Sequence, residues 1–225
     1  MTAEAPVDEY LSEKEQIELI KQWWREYGWY LIGGAAVSVL GYFGLNQYRL
    51  YQDGMAEEAG ALYREMLAAV EDDRDDIEGL LVRLRAEYAS SPYTDQAGLL
   101  MAKHLLIQDS ERAARELRLV MENASDQDLA MIARLRLARV QAYREDYAAA
   151  LAVLEVEEAG QFAARISEIK GDIHIALGEA DAARSAYIQA LTAAGADSLD
   201  RNFVQMKLND VLAAEAVGGA SEDGG

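Results

Sequence analysis

Apolar residues follow two patterns along this chain. From Trp29 to Tyr48 they form a run free of charge, with Glu26 and Arg49 as its nearest charged neighbours; beyond about residue 55 they recur every three or four positions between polar ones. The first pattern predicts a membrane-spanning helix, since twenty residues at 1.5 Å each cover about 30 Å, the thickness of a bilayer's hydrocarbon core. Leu31, Ile32, Val37, Val39, Leu40, Phe43 and Leu45 supply the lipid contact. Trp23, Trp24, Tyr27, Trp29 and Tyr30 crowd the start of the run, and Tyr42, Tyr48 and Tyr51 mark its end, as amphipathic rings do at the two headgroup levels. The competing reading is a buried helix of a soluble core. Gly33, Gly34, Gly41 and Gly44 would weaken such a helix in water, and the rest of the chain has apolar helices enough for a core of its own.

The second pattern predicts helices nearly throughout, near 55–71, 77–89, 95–108, 111–123, 128–144, 147–156, 162–177, 181–194 and 199–216, with no strand alternation and only Pro6 and Pro92 to interrupt. Ahead of the span, Ser12 and Glu15 have capping-box spacing, and Ile17, Ile20, Trp24 and Tyr27 share one stripe. That predicts a leader helix lying along the headgroups and bending at Gly28. The expected organisation is a leader over 1–28, a span over 29–48, a helical domain over 49–216 and a disordered tail over 217–225.

The leader begins acidic, and no small-residue cleavage site follows the span, so the anchor is expected to be retained rather than removed as a signal peptide. Lys14, Lys21 and Arg25 precede it, while only Arg49 and then Arg64 follow, a bias that favours a cytoplasmic N-terminus. The net charge is −19; residues 1–28 hold seven acids and three bases, leaving 33 acids against 18 bases beyond them. Such a domain repels phosphate backbones and anionic lipid, which argues against nucleic acid as a partner; solvated helix faces account for the charge. The absence of cysteine removes disulfides and thiolate metal sites.

The helices repeat. Ala138 and Gly171 lie 33 residues apart, as do Ala150 and Ala183, and Leu154 and Tyr187 fill a large position four residues later. In each unit a small residue lets helix A approach helix B, and a second small residue receives that contact. The turns carry Glu145-Asp146-Tyr147 and Gly178-Glu179-Ala180. A weaker copy places Ala102 and Ala114 in the small positions with Asp109-Ser110-Glu111 at its turn, offset by 36, and residues 55–90 match poorly. The pattern resembles the tetratricopeptide repeat, which implies an all-α helical-hairpin solenoid rather than a plain bundle. The concave face of such a stack is lined by its A helices, and here should present Arg134, Leu135, Arg139, Ala142, Glu168, Asp172 and Ile175 to a partner. In the span, Gly34, Ser38 and Gly41 form a small-residue stripe against which another membrane helix could pack.

Catalysis finds little support. His104 and His174 both fall on A helices, where packing or exposure is their expected role. There is no phosphate-binding glycine loop or H-E-x-x-H motif, and the acids Glu71, Asp72, Asp73, Asp75 and Asp76 lack the spacing of a calcium loop. No cofactor is expected.

A closer resemblance rests on Leu135-Arg136-Leu137-Ala138-Arg139-Val140-Gln141, on Gly178 with Ala183-Arg184-Ser185-Ala186, and on Gln205-Met206-Lys207-Leu208-Asn209. With the leader Glu15-Gln16-Ile17-Glu18, Lys21-Gln22-Trp23-Trp24 and Gly28, these make residues 12–212 similar to the YfgM family, the ancillary subunit of the SecYEG translocon. The resemblance implies a non-enzymatic inner-membrane protein with a periplasmic repeat domain. It implies a place beside the translocon, a PpiD-like membrane-anchored chaperone as partner, and secretory or outer-membrane proteins as clients. The charge bias leaves a cytoplasm-facing scaffold for envelope biogenesis as the other reading.

Overall fold

The computed structural model describes residues 13–222. Helix α1 runs Glu13–Glu71, and it is followed by α2 (Ile77–Glu87), α3 (Pro92–Leu105), α4 (Ser110–Asn123), α5 (Gln127–Tyr143), α6 (Tyr147–Val153), α7 (Ala163–Ala176), α8 (Ala180–Thr192) and α9 (Arg201–Glu222). Short 3-10 turns precede α7 and α9. Among the described residues there is no strand, so the all-α expectation holds. The chain divides into two units, one ending at Met55 and the other beginning at Ala56.

In the first unit the apolar run is exposed along its length: Trp29, Tyr30, Val37, Leu40, Phe43 and Leu45 all face outward. A core helix would bury such side chains, so this stretch of α1 is long and apolar enough to cross a membrane and has the exposure of one that meets lipid. The bend expected at Gly28 is absent. The helix passes straight through, with Trp24 folded back so that a Cβ at Gly28 would come within 3.2 Å of its indole. No break occurs between 48 and 55 either. An isolated glycine such as Gly54 costs a helix about 1 kcal/mol, which the flanking turns absorb. Ser12, half of the expected capping box, lies outside the described residues.

In the second unit each A helix is held to its B helix by small residues at the expected places. Ala138, Ala150 and Ala183 are fully buried, and Leu154 and Tyr187 fill the large positions. Gly171 takes the Tyr187 ring directly over its backbone, so closely that any Cβ would collide with it. Hairpins α3–α4, α5–α6 and α7–α8 follow one another, and α9 packs on α8 through Val204, Leu208 and Val211. The end of α1 shares one core cluster with α2 and α3, through Leu62, Met66, Leu80, Leu84 and Met101, in a stretch whose sequence departs from the repeat.

The turns explain the helix ends. Gly178 and Glu145, equivalent positions 33 residues apart, both adopt positive φ, +76° and +62°. After each, the next N–H reaches back five residues, Glu179 to the His174 carbonyl and Asp146 to that of Gln141, both at 2.9 Å. This is the Schellman closure, which glycine adopts freely and glutamate under strain. Helix α3 begins earlier than expected because Pro92 sits in its first turn behind the Ser91 cap. Helix α9 continues past Gly218 to Glu222, beyond where disorder was expected to begin, since Ala213, Ala214, Ala216 and Ala220 favour helix on both sides of the two glycines.

Candidate protein-binding groove

The A helices α3, α5 and α7 lie side by side, with α5 in contact with both neighbours. Between α5 and the start of α7 is a surface groove of about 820 Å³, whose walls include Ile132, Leu135, Phe162 and Arg165. Between α3 and α5 is a second hollow of about 370 Å³, floored by Leu99, Leu106, Leu117 and Val140 and edged by Lys103. Arg136 and Arg139 line both, so the two form one track across the repeat face.

The residues expected on this face take different parts. Leu135 is buried in the wall of the larger groove, and Arg139, half-exposed, forms the ridge between the hollows. Arg134 instead turns to the next hairpin helix, donating to the Val153 carbonyl at 2.7 Å, where it closes the end of α6. Arg134 therefore lines neither hollow. Ala142 packs into the core beside Ala138 and Ile173, and Ile175 is exposed near the end of α7 but lines neither hollow.

Glu168 and Asp172 belong to an ion network. The Glu168 carboxylate is almost wholly buried and accepts from Arg165 at 2.7 Å and Lys207 at 3.3 Å, with Arg139 4.0 Å away. Asp172 accepts from Lys207 at 2.7 Å and from the Tyr187 hydroxyl at 2.8 Å. Burial, then this carboxylate neighbour, pushes the Tyr187 phenol well above its ordinary range. The Lys207 ammonium also lies 4.6 Å from the Phe203 ring centre. Since Lys207 is on α9, the network fastens the last helix to α7.

Lys103, Arg136, Arg165 and Lys207 were absent from the sequence-based set. For Lys103 the repeat itself held the signal: Leu99, Lys103 and Leu106 stand 36 residues before Leu135, Arg139 and Ala142, the offset already found for the weaker copy. Arg136 and Arg165 had no such signal, because one repeat earlier they align with Leu100 and Ile132, and Lys207 stands on α9, beyond the repeats read from the sequence.

Little here suggests chemistry on a substrate. His174 Nδ1 lies 2.7 Å from the Glu179 carboxylate, tying the α7–α8 turn, and His104 is partly buried on α3. Among the described residues no group of three or more His, Cys, Asp or Glu side chains could hold a metal ion. In the first unit, Gly34, Ser38 and Gly41 are exposed on one side of α1, and the Ser38 hydroxyl donates to the Gly34 carbonyl at 2.8 Å, leaving the stripe smooth.

A helical repeat stack with an open groove, joined to an apolar N-terminal helix long enough to cross a membrane, sets the class of the chain as a helical-repeat protein. Residues 21–213 match the family model described as a tetratricopeptide repeat-like domain, and the chain belongs to that family. It is similar to the ancillary SecYEG translocon subunit of Neisseria gonorrhoeae, 28% identical over 207 residues that cover 90% of this chain and 98% of the relative. The proteins of the same name from Escherichia coli and Haemophilus influenzae are 27% and 28% identical, covering 90% and 89% of this chain and 98% of each relative. The resemblance read from the sequence is the one these comparisons return. No solved structure matches.

Proposed function

We propose that this protein is a non-enzymatic inner-membrane adaptor of the SecYEG translocon, which links emerging secretory or outer-membrane proteins to periplasmic chaperones through its repeat domain. The observation that carries the reading is end-to-end similarity to ancillary translocon subunits in a chain that joins one apolar span to a grooved repeat face. Neither part acts alone: the span tethers the repeat domain to the membrane, which raises its effective concentration toward a segment leaving the channel. The N-terminus lies in the cytoplasm and the repeats in the periplasm, beside a PpiD-like chaperone, with Leu135 and Arg139 contacting the partner. The stripe of Gly34, Ser38 and Gly41 packs against a neighbouring membrane helix; Gly34→Leu with Gly41→Leu would then reduce co-purification with membrane partners, and unchanged recovery would remove that contact.

Topology is the decisive test. The chain has no cysteine, so one placed at Ser221 is a unique label site. Labelling in intact cells by a maleimide that crosses only the outer membrane supports a periplasmic repeat domain. Labelling that requires inner-membrane lysis refutes it and favours the cytoplasm-facing scaffold.

A further inference from the structure

The chain has about twice as many acids as bases, and most cations of its repeat unit are matched. Arg83, Arg85, Arg112, Arg115, Lys170 and Lys207 each lie within 3.1 Å of a carboxylate. In the hollow between α3 and α5 the matching fails. Lys103 and Arg136 are exposed on its opposite walls and have no carboxylate partner among the described residues, and Arg139 reaches Glu168 only at 4.0 Å. Beneath them the floor is Leu99, Leu106, Leu117 and Val140.

We propose that this hollow binds a polypeptide segment in which Asp or Glu stands next to large apolar residues, the apolar side chains entering the hollow and the carboxylates meeting Lys103, Arg136 and Arg139. The proposal rests on the reading of this face as the partner-binding one and specifies the partner's chemistry. Charge complementarity carries it: three cations around an apolar floor complement a few carboxylates set among apolar side chains. Glu168, 4.0 Å from Arg139, is already held by Arg165 and Lys207; the acids that line the track, Asp128 and Asp197, stand in the α5–α7 groove and not the α3–α5 hollow, and Asp128 is engaged by the Gln161 amide at 3.3 Å. A long polyanion is disfavoured because the surrounding surface is negative, whereas a short segment with few charges meets the local cations before the distant acids. The hollow has room for two or three side chains, and the larger groove continues the path beyond Arg139.

The test uses the full chain in nanodiscs of zwitterionic lipid, with a short fluorescein-labelled peptide of Leu, Phe, Ser and Glu in which each Glu follows a large apolar residue. Its counterpart carries Lys in place of Glu, and empty nanodiscs give the lipid background. The acidic peptide is expected to bind at least tenfold more tightly than its counterpart, with affinity falling as salt is raised. Lys103→Glu with Arg136→Glu should invert that preference, a gain that misfolding cannot mimic, while Arg118→Glu on α4 leaves it unchanged. Equal binding of both peptides, binding no stronger than to empty nanodiscs, or a double reversal that leaves the acidic peptide's affinity intact would overturn the proposal. Recovery of the translocon with the unaltered chain is measured in parallel. Its failure counts against the adaptor reading alone, because peptide preference is read on the isolated protein.

Discussion

The tight approach of α7 to α8 rests on Gly171, and replacing it with alanine tests the repeat packing at one atom. The added Cβ would overlap the Tyr187 ring, which is 2% exposed and has no open space to move into. Overpacking of this kind costs about 1–3 kcal/mol. A ring that shifts also stretches the hydroxyl's 2.8 Å bond to Asp172, a charge-assisted contact worth about 1.5 kcal/mol. Alanine's better helix propensity returns about 1 kcal/mol. The balance is a destabilisation of about 2 kcal/mol. Gly79, exposed on α2 with nothing near its would-be Cβ, is the control: the same change there should stabilise by about 0.5 kcal/mol, because propensity acts alone. Urea unfolding of the full chain in detergent, followed by helical circular dichroism, reads both shifts. If Gly171→Ala moves the midpoint upward alongside Gly79→Ala, the close approach is not a constraint and the argument for the small position fails.

Lys207→Met should leave Glu168 with Arg165 and the more distant Arg139 and free α9 from Asp172, for a loss of about 2 kcal/mol and faster proteolysis within α9; cleavage at the wild-type rate would show the network to be incidental. At the Schellman turns, Gly178→Ala should destabilise by about 1 kcal/mol and Glu145→Gly should stabilise by about 0.5 kcal/mol, measured by thermal unfolding, because only glycine takes positive φ without strain. Burial raises the Asp95 carboxyl above its ordinary 3.8, opposed by a backbone hydrogen bond from Ser125, so the folded state binds this proton more tightly and stability falls as pH rises from 3.8 through the folded value. Asp95→Asn removes that dependence, so its stability relative to wild type should be greatest near neutrality and decline on acidification; a gap that stays constant with pH would refute the burial argument.

Much of the fold was legible because it is written at fixed spacings. The uncharged run, the three-and-four periodicity and the 33-residue offset each report a local rule, and Ala138, Gly171, Ala150, Ala183, Leu154 and Tyr187 stand in the core where the offset puts them. Helix breaks were less legible. A glycine in a polar or aromatic setting resembles a hinge, yet Gly28 and Gly54 pass within α1 and Gly218 within α9, because one weak residue cannot outweigh the hydrogen-bonded turns on either side. Glu145 hides the opposite case, a left-handed turn residue disguised as an ordinary helix former, and only its alignment with Gly178 betrays it.

The groove was legible by position and illegible by partnership. Projecting one face of the A helices nominates Leu135 and Arg139, which line the larger groove, but it cannot tell a side chain that faces a partner from one that faces another part of the same protein. Glu168 and Asp172 satisfy the same spacing and are taken by Lys207, 39 and 35 residues further along the chain. Arg134 is taken by a carbonyl on the following helix. Pairing therefore removes sites that periodicity nominates. In a chain with acids to spare, a cation left without one on an apolar wall is the informative exception, and that exception falls at Lys103 on α3 and Arg136 on α5, across the seam between the weaker repeat and the next. Binding chemistry is thus separable from helix packing in this protein, because the small and large repeat positions hold the helices together while Lys103 and Arg136, without carboxylate partners among the described residues, stay available to a ligand.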